Sequence, residues 1–213
     1  MSKYVVVDLE MCRVKKGQAP KGMRYGYELI EIGAVLLDEG YNEIDSFKTY
    51  VSPQYGEIDR YIEKLTGITR KDTQNAPSTG EAIEAFVKWM PEDAIPVSWS
   101  ENDKKQILKE IECKSLDIQG LTEYLDRWED CQKTFSEKIG ATRSYNLSEA
   151  MNLADILYDE NIHDGLIDSR NTAMLLKKMM TEKEMKLNPY YMAMCDDATM
   201  GGIGLLGNYS YAV

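Results

Sequence analysis

The sequence predicts an α/β fold: a mixed five-stranded sheet whose first three strands form an antiparallel meander, with helices on both faces. Three observations lead there. The first fifty residues contain three apolar runs with strand character. From about residue 57 the spacing of apolar residues turns helical. Later strands then alternate with helices, which is the pattern of a sheet covered on its faces.

Each element follows from local chemistry. Residues 3–9 carry the uninterrupted run Val5-Val6-Val7 and read as a buried strand. Residues 10–26, with glycines, a proline and charges, read as a loop. Residues 28–38 read as a second strand, Gly40 as a turn, and residues 43–51 as a third strand. Residues 57–66 read as a short helix. Ala76-Pro77-Ser78-Thr79 starts a helix over 80–90, capped by Ser78 or Thr79, and Pro91 stops it. Its apolar face is Ala82, Ile83, Phe86, Val87 and Met90. Residues 95–99 read as a fourth strand. Pro96 is tolerable near its start, because only a paired interior position needs the missing N–H. A helix over 102–112 turns Ile107, Leu108 and Ile111 inward. A short strand near 126–130 precedes a helix over about 131–139. Ser148 opens another helix to about 157, and a helix over 169–182 points Ala173, Leu175, Leu176 and Met179 at the core. Residues 1–184 are expected to form one domain, and residues 185–213 a Gly-, Met- and Tyr-rich tail, docked or flexible.

With 213 residues the chain suits one domain with a sizeable core. The apolar run after Lys3 is too short for a signal peptide or a membrane helix, so a cytoplasmic, membrane-free protein is expected. Cys12, Cys113, Cys131 and Cys195 form no CxxC, and one histidine cannot complete an ordinary zinc site, so free thiols are expected. A net charge of −11 argues against a broad basic face that coats nucleic acid, but not against an acidic centre that meets phosphate through cations. The charge is uneven: Arg13, Lys15, Lys16, Lys21 and Arg24 crowd one early stretch that contains no acid. Gly202-Ile203-Gly204-Leu205-Leu206-Gly207 matches G-x-G-x-x-G, yet no strand precedes it and too few residues follow for a dinucleotide site.

Four acids carry the chemistry. Asp8 and Glu10 end the first strand at positions i and i+2, so both point to one side. Two such charges ~4 Å apart repel by roughly 4 kcal/mol at an effective dielectric near 20, unless solvent or a cation relieves them. Asp103 follows the fourth strand, at an edge where ligands collect in such sheets. Asp168 precedes the last helix, five residues after His163. Singly, these read as a solvated strand end, helix-start acids and a surface histidine. Jointly they offer oxygen ligands suited to Mg²⁺ or Mn²⁺, two ions per site, as two-metal phosphodiester hydrolysis requires. Histidine, with an ordinary pKa near ~6.5, is suited to take a proton from water at neutral pH.

These residues resemble the DEDDh 3′–5′ exonucleases, which have a ribonuclease H-like fold. The similar stretches are Val6-Val7-Asp8-Leu9-Glu10-Met11-Cys12, Ser98-Trp99-Ser100-Glu101-Asn102-Asp103, and His163 through Asp168 to Ala173. Glu28–Asp38 and Lys64-Leu65-Thr66-Gly67-Ile68-Thr69 with Ala76-Pro77 are similar as well. The resemblance is nearest to the branch of histone-mRNA and small-RNA 3′ exoribonucleases and sporulation-inhibitor-like proteins. It implies that Asp8, Glu10, Asp103 and Asp168 bind two metal ions and that His163 is the general base. It also implies that backbone near Met11 and Cys12 meets the terminal nucleotide and that 5′-mononucleotides are released. Its substrate would be the 3′ end of single-stranded RNA or DNA, RNA being favoured through the resemblance alone.

Three further readings concern substrate. The basic stretch, with Lys15, Lys16 and Arg24, is placed to steer phosphates toward the metals. Trp99, Tyr25 or Tyr27 could stack on a base, worth ~1–3 kcal/mol, although Trp99 ends a buried strand and has a core reading too. Two alternatives stay open: a proofreading-type exonuclease acting on DNA, and a non-catalytic binding module on the same fold.

Overall fold

A computed structural model describes residues 3–15, 17–19, 26–158 and 163–193. Lys16, Lys21, Arg24 and Tyr25 of the basic stretch, Cys195 and the glycine motif at 202–207 lie outside the described residues.

The chain opens with the meander: β1 (Tyr4–Arg13), β2 (Tyr27–Leu37) and β3 (Glu43–Tyr50). Three helices follow, α1 (Arg60–Thr66), α2 (Arg70–Thr73) and α3 (Thr79–Trp89). Then come β4 (Ile95–Ser98), α4 (Glu101–Lys114), α5 (Leu121–Arg127), β5 (Glu129–Asp130), α6 (Cys131–Lys138), α7 (Leu147–Leu153) and α8 (Gly165–Thr181). The sheet order is β3-β2-β1-β4-β5, with β1 in the centre. It pairs antiparallel to β2 and parallel to β4, and β4 pairs parallel to β5. The expected mixed five-stranded sheet is therefore present.

A central strand is covered on both sides, which is why its valines run without alternation. Val5, Val7 and Leu9 pack with Ile83, Phe86 and Ile107 under α3 and α4. Val6, Val35 and Val97 pack with Phe135, Met151 and Leu175 under α6, α7 and α8. A third cluster, Cys12, Ile30, Ile58, Ile62 and Ile68, seats α1 against the far end of β1.

Five boundaries differ from the sequence reading, each for a local reason. β1 continues to Arg13 rather than yielding to a loop at residue 10, because Met11, Cys12 and Arg13 still find partners in Leu29, Glu28 and Tyr27 beyond a bulge. Helix α2 was not anticipated; its four residues are too few for a periodic signal, and a capping box between Thr69 and Asp72 defines it. The expected strand near 126–130 shrinks to Glu129–Asp130, because Leu121, Tyr124 and Leu125 are buried at helical spacing. Asn146, not Ser148, caps α7 through Glu149. Helix α8 starts at Gly165, capped by Asp164, so Asp168 stands inside the first turn instead of before it. Leu108, expected inward, is exposed, while Ile107 beside it is buried.

Candidate active site

The acids meet where β1 outruns its neighbour. β4 pairs only with Tyr4–Val7, so the β1 backbone beyond that point lacks a strand partner on this side. Asp103, in the first turn of α4, fills the gap: its Oδ1 accepts a hydrogen bond from Leu9 N–H at 3.1 Å. Leu9 lies between Asp8 and Glu10, so Asp103 sits at the same stretch of strand. Asp8 and Glu10 project to the face covered by α8, and the side chain of Asp8 is half-buried. Glu10, Asp103 and Asp168 are 6%, 7% and 6% exposed, and their burial is what makes their charges matter.

Ligand atoms of Glu10, His163 and Asp168 all lie within 4.8 Å of one another. The His163 Nδ1 is 3.6 Å from Asp168 Oδ2, too far for a hydrogen bond and near enough for electrostatic contact. Asp168 Oδ1 is held by Tyr158 Oη–H at 3.2 Å and Asn171 Nδ2–H at 3.3 Å. His163 is fixed through its backbone, its N–H donating to the Leu65 carbonyl of α1 at 3.1 Å. Its ring is half open to solvent, the side chain being 47% exposed.

Electrostatics describe a charge-strained cluster. Burial, then the charges of Asp103, Glu10, Asp168 and Glu31, push the Asp8 carboxyl well above the usual range. Burial, then Asp168 and Glu31, do the same to Glu10. Burial raises Asp103 to about 7, against the lowering effect of its bond from Leu9 N–H. Carboxylates forced together this way are a match for hard divalent cations, which remove the repulsion and take oxygen ligands. Asp8, Glu10, Asp103 and Asp168 would hold such ions.

Sequence reasoning missed three residues at this site. Glu31 is the cross-strand partner of Glu10 and is 1% exposed. Its Oε1 accepts from Gly165 N–H at 2.9 Å, and its Oε2 lies 3.2 Å from the Lys48 ammonium. Lys48 also pairs with Asp164, which caps α8 by accepting from Leu166 and Ile167 N–H. The available signal was Glu31 itself, a charge inside the apolar run of β2, since a buried charge requires a partner.

Of the expected substrate contacts, Met11 is half-buried on β1. The Cys12 side chain is fully buried in the cluster against α1, and burial, then the Glu28 charge, push its thiol up to about 12. Only its backbone remains available to a nucleotide. Stacking of a base on Trp99 is corrected by the structure, and its core reading holds. It is 8% exposed, tilts against Phe135 at 6.0 Å and donates its indole N–H to Tyr145 O, so it is a core residue and no base can stack on it. Lys15 is described and pairs with Glu57.

Residues 5–176 match the family model described as Exonuclease, RNase_T. An ERI1 exoribonuclease 2 from Danio rerio is 30% identical over 181 residues, which cover 74% of this chain and 32% of that protein. A 3′-5′ exoribonuclease 1 from Rattus norvegicus is 25% identical, with 76% of this chain and 50% of that one covered. The chain therefore spans no more than half the length of these relatives. Among solved structures, the nuclease domain of 3′hExo, a DEDDh family member bound to rAMP, superposes with a TM-score of 0.68 at 21% identity, covering 88% of this chain and 96% of that one.

Proposed function

The chain belongs to the exonuclease family of the RNase_T type, and from that premise we propose that it is a metal-dependent 3′–5′ exonuclease acting on single-stranded nucleic acid, with RNA preferred. The observation that carries this reading is the meeting of Glu10, His163 and Asp168 within 4.8 Å, with Asp8 on the same face of β1 and Asp103 bonded between them. RNA is favoured because the relatives named above are called exoribonucleases. Residues 1–184 make up the catalytic domain in this reading, and the family match inside them supports it.

The chain's own groups divide the work. Asp8, Glu10, Asp103 and Asp168 are the ligands, and Mg²⁺ or Mn²⁺ held there would acidify the attacking water and neutralise charge on the phosphate and leaving oxygen. His163, half open to solvent, takes the water's proton and passes it to bulk. Asp168 faces Nδ1, favouring a proton on that nitrogen and leaving Nε2 free to accept. Tyr158 and Asn171 fix the Asp168 carboxylate so that it serves both ion and imidazole. Attack at the last phosphodiester releases a 5′-mononucleotide.

A DNA substrate is the second reading. A DNA polymerase III PolC-type from Thermotoga maritima is 28% identical over 156 residues, though these are 10% of that protein. One assay separates the readings: 5′-labelled single-stranded RNA and DNA are incubated with Mg²⁺, Mn²⁺ or EDTA. We expect a ladder shortening from the 3′ end, with metal only, and faster on RNA. Faster digestion of DNA selects the second reading, and binding without shortening under every metal reduces the chain to a binding module.

A further inference from the structure

We propose that Lys48, on β3, is a positioning residue of the reaction: it ties Asp164, the neighbour of His163, to Glu31, the cross-strand partner of Glu10. The inference rests on the nuclease reading and adds to it a residue outside the acid–histidine set. Lys48 pairs in register with Gly33 of β2. The backbone of Gly165 packs directly on Gly33, so the lysine stem stands beside the first turn of α8. Its ammonium meets Asp164 Oδ2 and lies 3.2 Å from Glu31 Oε2. That Glu31 oxygen is buried and receives no aligned hydrogen bond among the described residues, so the ammonium is its counter-charge.

Local rules argue against a lysine at this place. A helix N-terminus is positive and disfavours a cation. The Lys48 side chain is also only 28% exposed, so its charge is partly desolvated. Burial works against its charge, yet the bond to Asp164 and the charge of Glu31 outweigh this and raise its pKa. A position that breaks local preference and is held by dedicated partners is where a functional constraint is expected. Here the constraint is geometric. Asp164 caps α8 through Leu166 and Ile167 N–H, and Glu31 takes Gly165 N–H. Lys48 joins these two anchors into one clamp between the strand pair that carries Glu10 and the turn that carries His163 and Asp168. Without the ammonium, Glu31 and Asp164 repel each other and that turn shifts against β1. A shift of ~1 Å in a reacting group costs on the order of 100-fold in rate.

The test uses the full chain and a short single-stranded oligonucleotide under the active metal, with Lys48→Met, Lys48→Arg and Asp164→Asn compared. Asparagine still caps a helix but cannot pair with the ammonium. We expect Lys48→Met and Asp164→Asn each to lower kcat about 10-fold or more, in proportion to the misplacement, with KM changed by less than about 2-fold, and Lys48→Arg to recover most of the loss. The single histidine gives a second readout: its ring NMR signals should move in Lys48→Met and return in Lys48→Arg. A kcat near the wild-type value in Lys48→Met and Asp164→Asn, or a loss confined to KM, overturns the proposal. Should Lys48→Met not fold, Asp164→Asn decides alone. An inactive wild type overturns the nuclease reading and this inference with it, whereas an active wild type with unaffected variants overturns this inference only.

Discussion

Gly33 and Gly165 meet backbone to backbone: a β-carbon on Gly33 would fall 2.1 Å from the Gly165 carbonyl carbon and 2.2 Å from the Leu166 nitrogen. Ser169 Oγ–H, one turn along α8, donates to Gly33 O at 2.8 Å and fixes the same approach. Both obstructing atoms are main chain, so no rotamer change relieves the clash. Gly33→Ala should therefore displace the start of α8 and cost ~1–3 kcal/mol or more of stability. In a chain of this size that lowers Tm by ~2–4 °C per kcal/mol, read by calorimetry. An unchanged Tm would show that α8 does not dock this tightly.

The carboxylate cluster sets a pH dependence that metal should cancel. Asp8, Glu10 and Asp103 have raised folded pKa values, burial being the first cause for each. A raised carboxyl binds its proton more tightly folded than unfolded, so its stabilising effect is present below the unfolded value near ~4 and is lost as pH rises through the folded value. For Asp103 the window closes at about 7. In EDTA, Tm should fall as pH rises from 4 toward 7, and saturating Mn²⁺ should reduce that fall. A Tm that rises over this interval in EDTA would contradict the cluster.

His163→Ala separates base from ligand. Loss of a general base costs ~100- to 10,000-fold in rate. Calorimetric titration with Mn²⁺ should meanwhile give nearly unchanged affinity, because four carboxylates remain. Metal affinity lost together with rate would make the imidazole a ligand, an assignment its 4.8 Å grouping with Glu10 and Asp168 also permits.

A buried ion network away from the site holds α4 to the strands. The Lys114 ammonium is 2.6 Å from Glu28 Oε1 and 2.9 Å from Glu110 Oε2, and both glutamates are fully buried. Glu28 also accepts from the N–H groups of Gln54, Tyr55 and Gly56, and Glu110 from Leu29 N–H. Lys114→Met leaves two buried carboxylates without their cation, and breaking such a pair costs ~3–5 kcal/mol. Urea unfolding at neutral pH should show a loss of that size. A change within ~0.5 kcal/mol would place the network among surface-like pairs.

The basic stretch is tested through salt. Glutamine at Lys15, Lys16 and Lys21 should raise KM for single-stranded substrate and flatten its dependence on salt, by a slope of ~0.7 for each phosphate no longer neutralised. Unchanged KM and slope would leave these lysines as surface charges, Lys15 being already paired with Glu57.

The sheet was readable because Val5-Val6-Val7 and residues 28–38 must lie inside, and a mixed sheet with two helical layers is what buries them. The acids were readable as a set from their joint chemistry, and the family motifs then matched the same residues; alone, Asp168 resembled a helix cap, a role that Asp164 in fact fills. Glu31, Lys48 and Asp164 were not read because their meaning is a pairing across three distant segments, which spacing does not encode. Sequence adjacency to Asp8, Glu10 or Asp103 says nothing about which side of the sheet a neighbouring side chain faces: those of Trp99 and Cys12 face into packed clusters, which leaves Trp99 its core reading and Cys12 only its backbone for a nucleotide.

Leu9 N–H is held by a side chain just past Val7, where the ladder between β1 and β4 ends. Its exchange with deuterium is therefore governed by Asp103 alone rather than by unzipping of the sheet. That single amide is a gauge built into the molecule: it should exchange faster whenever Asp103 swings away and slower when an ion pins the carboxylate in place.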